Sequence, residues 1–268
     1  IGLVLDLRAG LLGSLWRQWI VINRAVREGR IIVAVGDFLP LLFAWASGAD
    51  YLFIGTPKSD HTWMSGPGCS ISDFYHGLKG SEWDLWEMYI MRSSLCKFVI
   101  VRDQLTSINL KKKKIDAQFF GNPMMDFVQN KKIDTKMIDN YQILILLIGS
   151  RFPEANYNLN LFLSYLDDFC FSHQSLILIP LSSNANQQDI NRIFIHYEFE
   201  RDNDSKFNIG EDSVWLKGNI KLLVGKNKFS SWSKLPEVGL ANAGTATEQI
   251  CGLGIPTLSI PGKGPQFN

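Results

Sequence analysis

Residues Val238 to Asn268 read VGLANAGTATEQICGLGIPTLSIPGKGPQFN. Small residues lead to a turn at Gly244, and a short helix is expected from Thr245 onward, closed by Gly252 and Gly254. Ile255 to Ile260 then reads as a buried strand that empties into the loop Pro261 to Pro265. A small-residue turn at the start of a helix presents backbone N–H groups to an anion, and the helix dipole adds to the attraction. The pattern suits a nucleotide or phosphate site.

An α/β unit is expected from Gln142 onward. Gln142 to Ile148 is a strongly apolar strand (QILILLI) that ends in Gly149-Ser150-Arg151. Phe152, Ala155, Leu159, Phe162, Leu163 and Leu166 follow at the 3.6-residue spacing of one helix face. Leu176 to Pro180 reads as a strand, Asp189 to Phe199 as a helix, and Val214 to Leu216 and Ile220 to Val224 as further strands.

The first half has the same grammar. Strands are expected at Ile1 to Asp6, Ile31 to Val35, Tyr51 to Ile54, Phe98 to Val101 and Ala117 to Phe120. Helices are expected over Leu11 to Glu28, Leu39 to Ser47 and Trp83 to Leu95, with another running through Leu110. Gly55 to Thr62 reads as a polar loop, and Trp63 to Gly80 shows no clear period. Alternating strands and helices predict parallel α/β sheets. The polar, lysine-rich stretch from Phe127 to Tyr141 is the best linker, so domains are expected at 1–130 and 131–268. The chain begins inside an apolar run and stops after a glycine loop, as a fragment lacking sequence at both ends would.

Composition excludes several classes. The 268 residues are 46% hydrophobic and 20% charged, with a net charge of +1, which gives no global field for nucleic acid. Cys69, Cys96, Cys170 and Cys251 lie far apart without a CxxC pair, so neither a metal site nor a disulfide framework is expected, and a reducing compartment is the default. No run of about 18 apolar residues is present to span a bilayer. Trp16, Arg17, Trp19, Arg24, Arg27 and Arg30 form either a membrane-surface patch or the two faces of a packed amphipathic helix.

Ligands of α/β sheets collect at the carboxyl ends of strands, so residues just after strands carry the functional weight. Gly149, Ser150 and Arg151 could hold a diphosphate, or Ser150 could simply cap the next helix. In Gly244-Thr245-Ala246-Thr247-Glu248 the turn could approach phosphate and the carboxylate could bind ribose. Alternatively, Thr245 and Glu248 form a capping box. Asp37 follows a strand and is the natural general base, unless it is only a helix N-cap. His61 stands in the same tier of strand-end loops.

As a set, these motifs resemble one family. LLIGSRFPEANYNL is similar to the "LLPGSR…E" segment of lipid-A-disaccharide synthases, Gly121-Asn-Pro-Met-Met-Asp126 to their "GHPLxD", and AGTATEQICGLGIPTL with PGKGPQF to their "SGTAxLE…PxV" and following loop. The chain also resembles the lipid-A-disaccharide synthase-related proteins described from cyanobacteria. That resemblance implies a GT-B fold, two Rossmann-like domains facing a cleft. It also implies an inverting, metal-independent glycosyltransferase that moves an N-acylglucosamine-type sugar from a UDP donor to a lipid or amphipathic acceptor. No cofactor beyond the UDP-sugar substrate is implied, and the location is cytoplasmic or peripheral on the inner membrane. By position, Gly149 to Arg151 and Gly244 to Thr247 would hold the diphosphate, Gln266 would touch the sugar, and Asp37 would be the base. Arg151 would steady the departing UDP.

Three departures stand out. The family's GTAxLE is GTATEQ here, which leaves Glu248 or Gln249 to face the ribose. Its GHP becomes GNP at Asn122, and its "SVWAW" segment is replaced by Thr56 to Trp63. A GT-B UDP-N-acetylglucosamine 2-epimerase and a non-catalytic sugar-nucleotide binder are the alternative readings.

Overall fold

The computed structural model describes residues 10–64, 71–126, 135–167, 174–204 and 207–261. The chain forms two compact units, Ile1–Pro123 and Met124–Asn268.

In the first unit, α1 (Leu11–Arg27) leads to β1 (Ile32–Gly36), α2 (Phe38–Ala46) and β2 (Tyr51–Gly55). Three helices follow: α3 (Asp60–Met64), α4 (Ile71–Lys79) and α5 (Leu85–Met91). β3 (Cys96–Val101), α6 (Gln104–Lys112) and β4 (Ala117–Gln118) complete the unit. The sheet runs β1-β2-β3-β4, all parallel. Alternation within the strands sends Ala34, Tyr51, Phe53, Val99 and Val101 into one core with Leu41, Trp83 and Met88. Each large side chain fully buried there contributes about 1.5–3 kcal/mol.

Two helices appear where the sequence predicts none. The polar loop ends in α3, and the aperiodic stretch contains α4. In α4 the apolar side chains are exposed (Ile71, Phe74 and Leu78), so the usual link between apolar period and burial is absent. The expected helix from Trp83 begins two residues later, because Glu87 reaches back to the backbone N–H of Asp84 (2.7 Å) and fixes the first turn.

The second unit contains β5 (Gln142–Leu147), α7 (Glu154–Asp167), β6 (Ser175–Leu181) and α8 (Gln187–His196). It continues through β7 (Glu200–Asp202), β8 (Ser213–Lys217), β9 (Ile220–Lys226) and α9 (Phe229–Trp232), and ends with β10 (Val238–Ala241), α10 (Thr245–Gly252) and β11 (Thr257–Leu258). The sheet order is β11-β10-β5-β6-β9-β8-β7; its first five strands are parallel, and β8 and β7 are antiparallel additions.

Continuous apolar strands are what a sheet buried on both faces requires. Leu146 and Ile148 join one core, with Ile177, Ile179 and the α7 face of Ala155, Leu159, Phe162, Leu163 and Leu166. Ile143, Ile145 and Leu147 join the core of the opposite face, with Leu176, Leu178 and Ile250. The strand expected from Ile255 to Ile260 shrinks to Thr257–Leu258, which pairs with β10 and among the described residues is the edge of the sheet. The strand expected at Ile1 to Asp6 lies outside the described residues.

Candidate functional site

The topology of the second unit selects one edge as the candidate site. β5 and β10 are adjacent and parallel, with Ala241 opposite Leu147 in register, so both strands end at the same level. From β5 the chain passes through α7 to β6 on one side; from β10 it passes through α10 to β11 on the other. Connections that leave neighbouring strands in opposite directions open a crevice at the carboxyl ends, the topological switch point where α/β sheets bind ligands. The loops at this point are Ile148 to Pro153 and Asn242 to Gly244. They carry both glycine motifs singled out from the sequence.

Gly149 turns the chain out of β5 with φ 95°, a conformation that disfavours any side chain. A Cβ there would sit 3.7 Å from the Asn242 carbonyl oxygen, so the two loops run side by side. Ser150 and Arg151 are exposed. Ser150 is not the helix cap: α7 starts at Glu154, and its first turn is tied by the N–H of Ala155 to the Arg151 carbonyl (2.8 Å). Ser150 therefore stands in the loop, with Arg151 beside it.

The capping box at Thr245 and Glu248 does not form. Gly244 occupies the N-cap position and no side chain caps α10. The Thr247 hydroxyl turns back to the Ala243 carbonyl, and Glu248 lies exposed in the first turn. Gln249 faces the other way: it is buried and donates its side-chain amide to the Met124 carbonyl. Of the two candidates for the ribose, Glu248 is the exposed one. Met125 packs against α10 at Gly252, where a Cβ would come within 2.9 Å of its sulfur. The Met124-Met125 part of the GNPMMD motif thus braces α10 from beneath. Gln266 lies outside the described residues.

Sequence reasoning did not find the buried pair that holds the two loops together. Asn158, on the inward face of α7, donates to the Ile148 carbonyl (3.1 Å). Asn242 donates to Asn158 Oδ1 (3.5 Å) and accepts from the N–H of Ile260 (3.2 Å). Both asparagines are almost fully buried. The available signal was an asparagine beside Leu159 on an otherwise apolar helix face.

In the first unit, Asp37 does cap α2, its Oδ1 accepting the N–H of Phe38 at 2.7 Å, yet its side chain remains 58% exposed. His61 is exposed on α3, 3.9 Å from the carboxylate of Asp103, and Asp103 itself caps α6 through Thr106. Lys58 reaches the fully buried Glu87 (2.6 and 2.7 Å) and comes within 3.8 Å of Asp84 and 4.0 Å of Asp37. Burial pushes the Glu87 carboxyl above its ordinary value, against the pull of Lys58. For Asp84 burial pushes upward too, but Lys79, Lys58 and the Tyr75 hydroxyl prevail and hold it below the usual carboxylate range. Asp60, also fully buried, accepts from Ser81 (2.9 Å), the N–H of Glu82 (2.6 Å) and Asn109 (2.9 Å). The strand-end loops of this unit are thus bound by a polar network, of which the sequence showed only the positions.

No protein-family model matches the chain, and no curated protein matches it. Solved structures do. A Listeria monocytogenes protein assigned as a UDP-N-acetylglucosamine 2-epimerase superposes with a TM-score of 0.55 at 11% identity, over 93% of this chain and 62% of its own. MnaA from S. aureus, solved with UDP, gives a TM-score of 0.55 at 12% identity, over 93% of this chain and 63% of its own. The chain therefore spans less than two thirds of the length of these neighbours. At such identity the likeness establishes the fold: two Rossmann-like α/β units of the GT-B type. A relation to lipid-A-disaccharide synthases in particular did not emerge from these comparisons.

Proposed function

We propose that the chain belongs to a UDP-sugar enzyme and holds the nucleotide at the β5/β10 switch point. The observation that carries this reading is the pairing of two glycine turns at one level of the sheet, one with an exposed Arg151 and the other with an exposed Glu248. In this reading Gly149, Ser150, Gly244 and Thr245 supply donors to the diphosphate and Arg151 adds the charge, whereas Thr247, whose hydroxyl and N–H already donate to the carbonyls of Ala243 and Gly244, supplies none. Glu248 takes the ribose hydroxyls, Gln266 touches the sugar, and Asp37 is the base.

Of the reactions a UDP-sugar allows, we favour 2-epimerisation, because the fold neighbours are named for it or carry UDP. Inverting the carbon that bears the acylamino group starts with a carboxylate base taking its proton as the C1–O bond to UDP breaks, which leaves a 2-acylaminoglycal; UDP then adds back to C1 as a proton is delivered to the opposite face of C2. Departing UDP would be steadied by Arg151 and the helix N-termini.

A second reading, transfer of the sugar to a lipid or amphipathic acceptor, is supported by the motif set quoted above. It is also supported by α1, which exposes Leu12, Trp16 and Ile20 beside Arg17, Arg24 and Arg27. A peripheral membrane location belongs to this reading. Among the described residues no helix is long and apolar enough to cross a membrane.

One incubation separates the readings. Full-length protein and UDP-N-acetylglucosamine alone, followed by NMR, should yield the 2-epimer. UDP released only after an amphipathic acceptor is added favours transfer. Bound UDP with no product in either case marks a non-catalytic binder.

A further inference from the structure

Among the described residues of the first unit, Lys58 is the cation that reaches carboxylates from two other elements: Asp37 at the end of β1, and Asp84 and Glu87 at the start of α5. Its ammonium is fixed from below. Both oxygens of buried Glu87 hold it, and it lies 5.1 Å from the ring centre of buried Trp83. Gly55 permits that packing, since a Cβ there would meet the Trp83 ring at 2.6 Å. Among the described residues, this cluster is also faced by Lys79, paired with Asp84 (2.6 Å), and by the neutral phenol of Tyr75, which donates to the same carboxylate (3.2 Å). The arrangement leaves Lys58 as the cation turned toward exposed Asp37, on whose Oδ1 the Phe38 N–H also falls. Oδ2 is then the oxygen left to accept a proton.

We propose that Lys58, held by Glu87, is a positioning residue that orients the Asp37 carboxylate for proton removal. The proposal rests on the reading of Asp37 as the base. It is a long-range device: Glu87 never meets the substrate, yet it decides where the ammonium points.

The test measures turnover of UDP-N-acetylglucosamine by full-length wild type and four variants. Asp37→Asn should abolish turnover. Lys58→Met should lower kcat about tenfold or more with KM unchanged, as a misplaced reacting group does. Lys58→Arg should recover most of the rate. The double variant Lys58→Met/Glu87→Gln leaves no buried unpaired charge, so it folds even where the single variant does not, and it should show the same kcat loss. A double variant with wild-type kcat overturns the proposal alone. Full turnover by Asp37→Asn, or an inert wild type, overturns the base reading and the proposal with it.

Discussion

Asn242 donates its side-chain amide to Asn158 Oδ1 across 84 residues of sequence, and Asn158 passes the restraint on to the Ile148 carbonyl. Two loops from different strands are thereby locked at one height above the sheet. Replacing Asn158 by Leu keeps the volume but leaves a carbonyl and an amide without this partner. Each such loss costs about 1–3 kcal/mol. Urea unfolding should show a drop of that size, and calorimetry should show weaker UDP binding; unaltered values for both would mean the pair is not a brace.

Arg151 is exposed and lies ahead of α7, so truncating it should leave folding intact. A charge-assisted contact to phosphate contributes about 1.5–3 kcal/mol. Arg151→Ala should therefore weaken UDP binding by roughly tenfold to a hundredfold at constant melting temperature. Equal affinity would remove Arg151 from the nucleotide site.

Gly55 offers a stability test unconnected to the ligand. Adding a methyl group 2.6 Å from Trp83 overpacks the first core, which costs about 1–3 kcal/mol. Gly55→Ala should lower the unfolding midpoint without changing UDP affinity. A variant as stable as wild type would mean that Trp83 has room to move.

Asp84 links the polar network to pH. Its carboxyl is held below the usual carboxylate range in the folded chain by Lys79 and Lys58, so the folded state binds its proton more weakly than the unfolded state does. The resulting stability is present above the ordinary carboxylate range and is lost as pH falls through the folded value. Between about pH 5 and 3, wild-type stability should fall more steeply than that of Asp84→Asn, measured as urea midpoints. Parallel curves would show that Lys79 and Lys58 do not favour the charged form.

Much of the fold was legible because its strands are apolar runs bounded by glycine. QILILLIG reads as a strongly apolar strand, which the fold buries on both faces, and α7 displays its inward residues at helical spacing. What escaped the sequence was decided by partners far along the chain. Thr245 and Glu248 satisfy the pattern of a capping box, but Gly244 takes the cap position and Thr247 turns its hydroxyl to Ala243. Gln249 and Glu248 are neighbours with similar side chains. Only the fold shows that Gln249 is engaged with Met124 while Glu248 is exposed. Lys58 and Glu87 are 29 residues apart, and nothing in their local sequence announces that they meet.

On the proposed reading, a uridine nucleotide binds where β5 and β10 end. Amide hydrogen exchange of the full-length protein, with and without saturating UDP, tests it most directly. Protection concentrated in residues 148–155 and 242–249 is the predicted result. Protection confined to other segments, or no change at any UDP concentration, would contradict it.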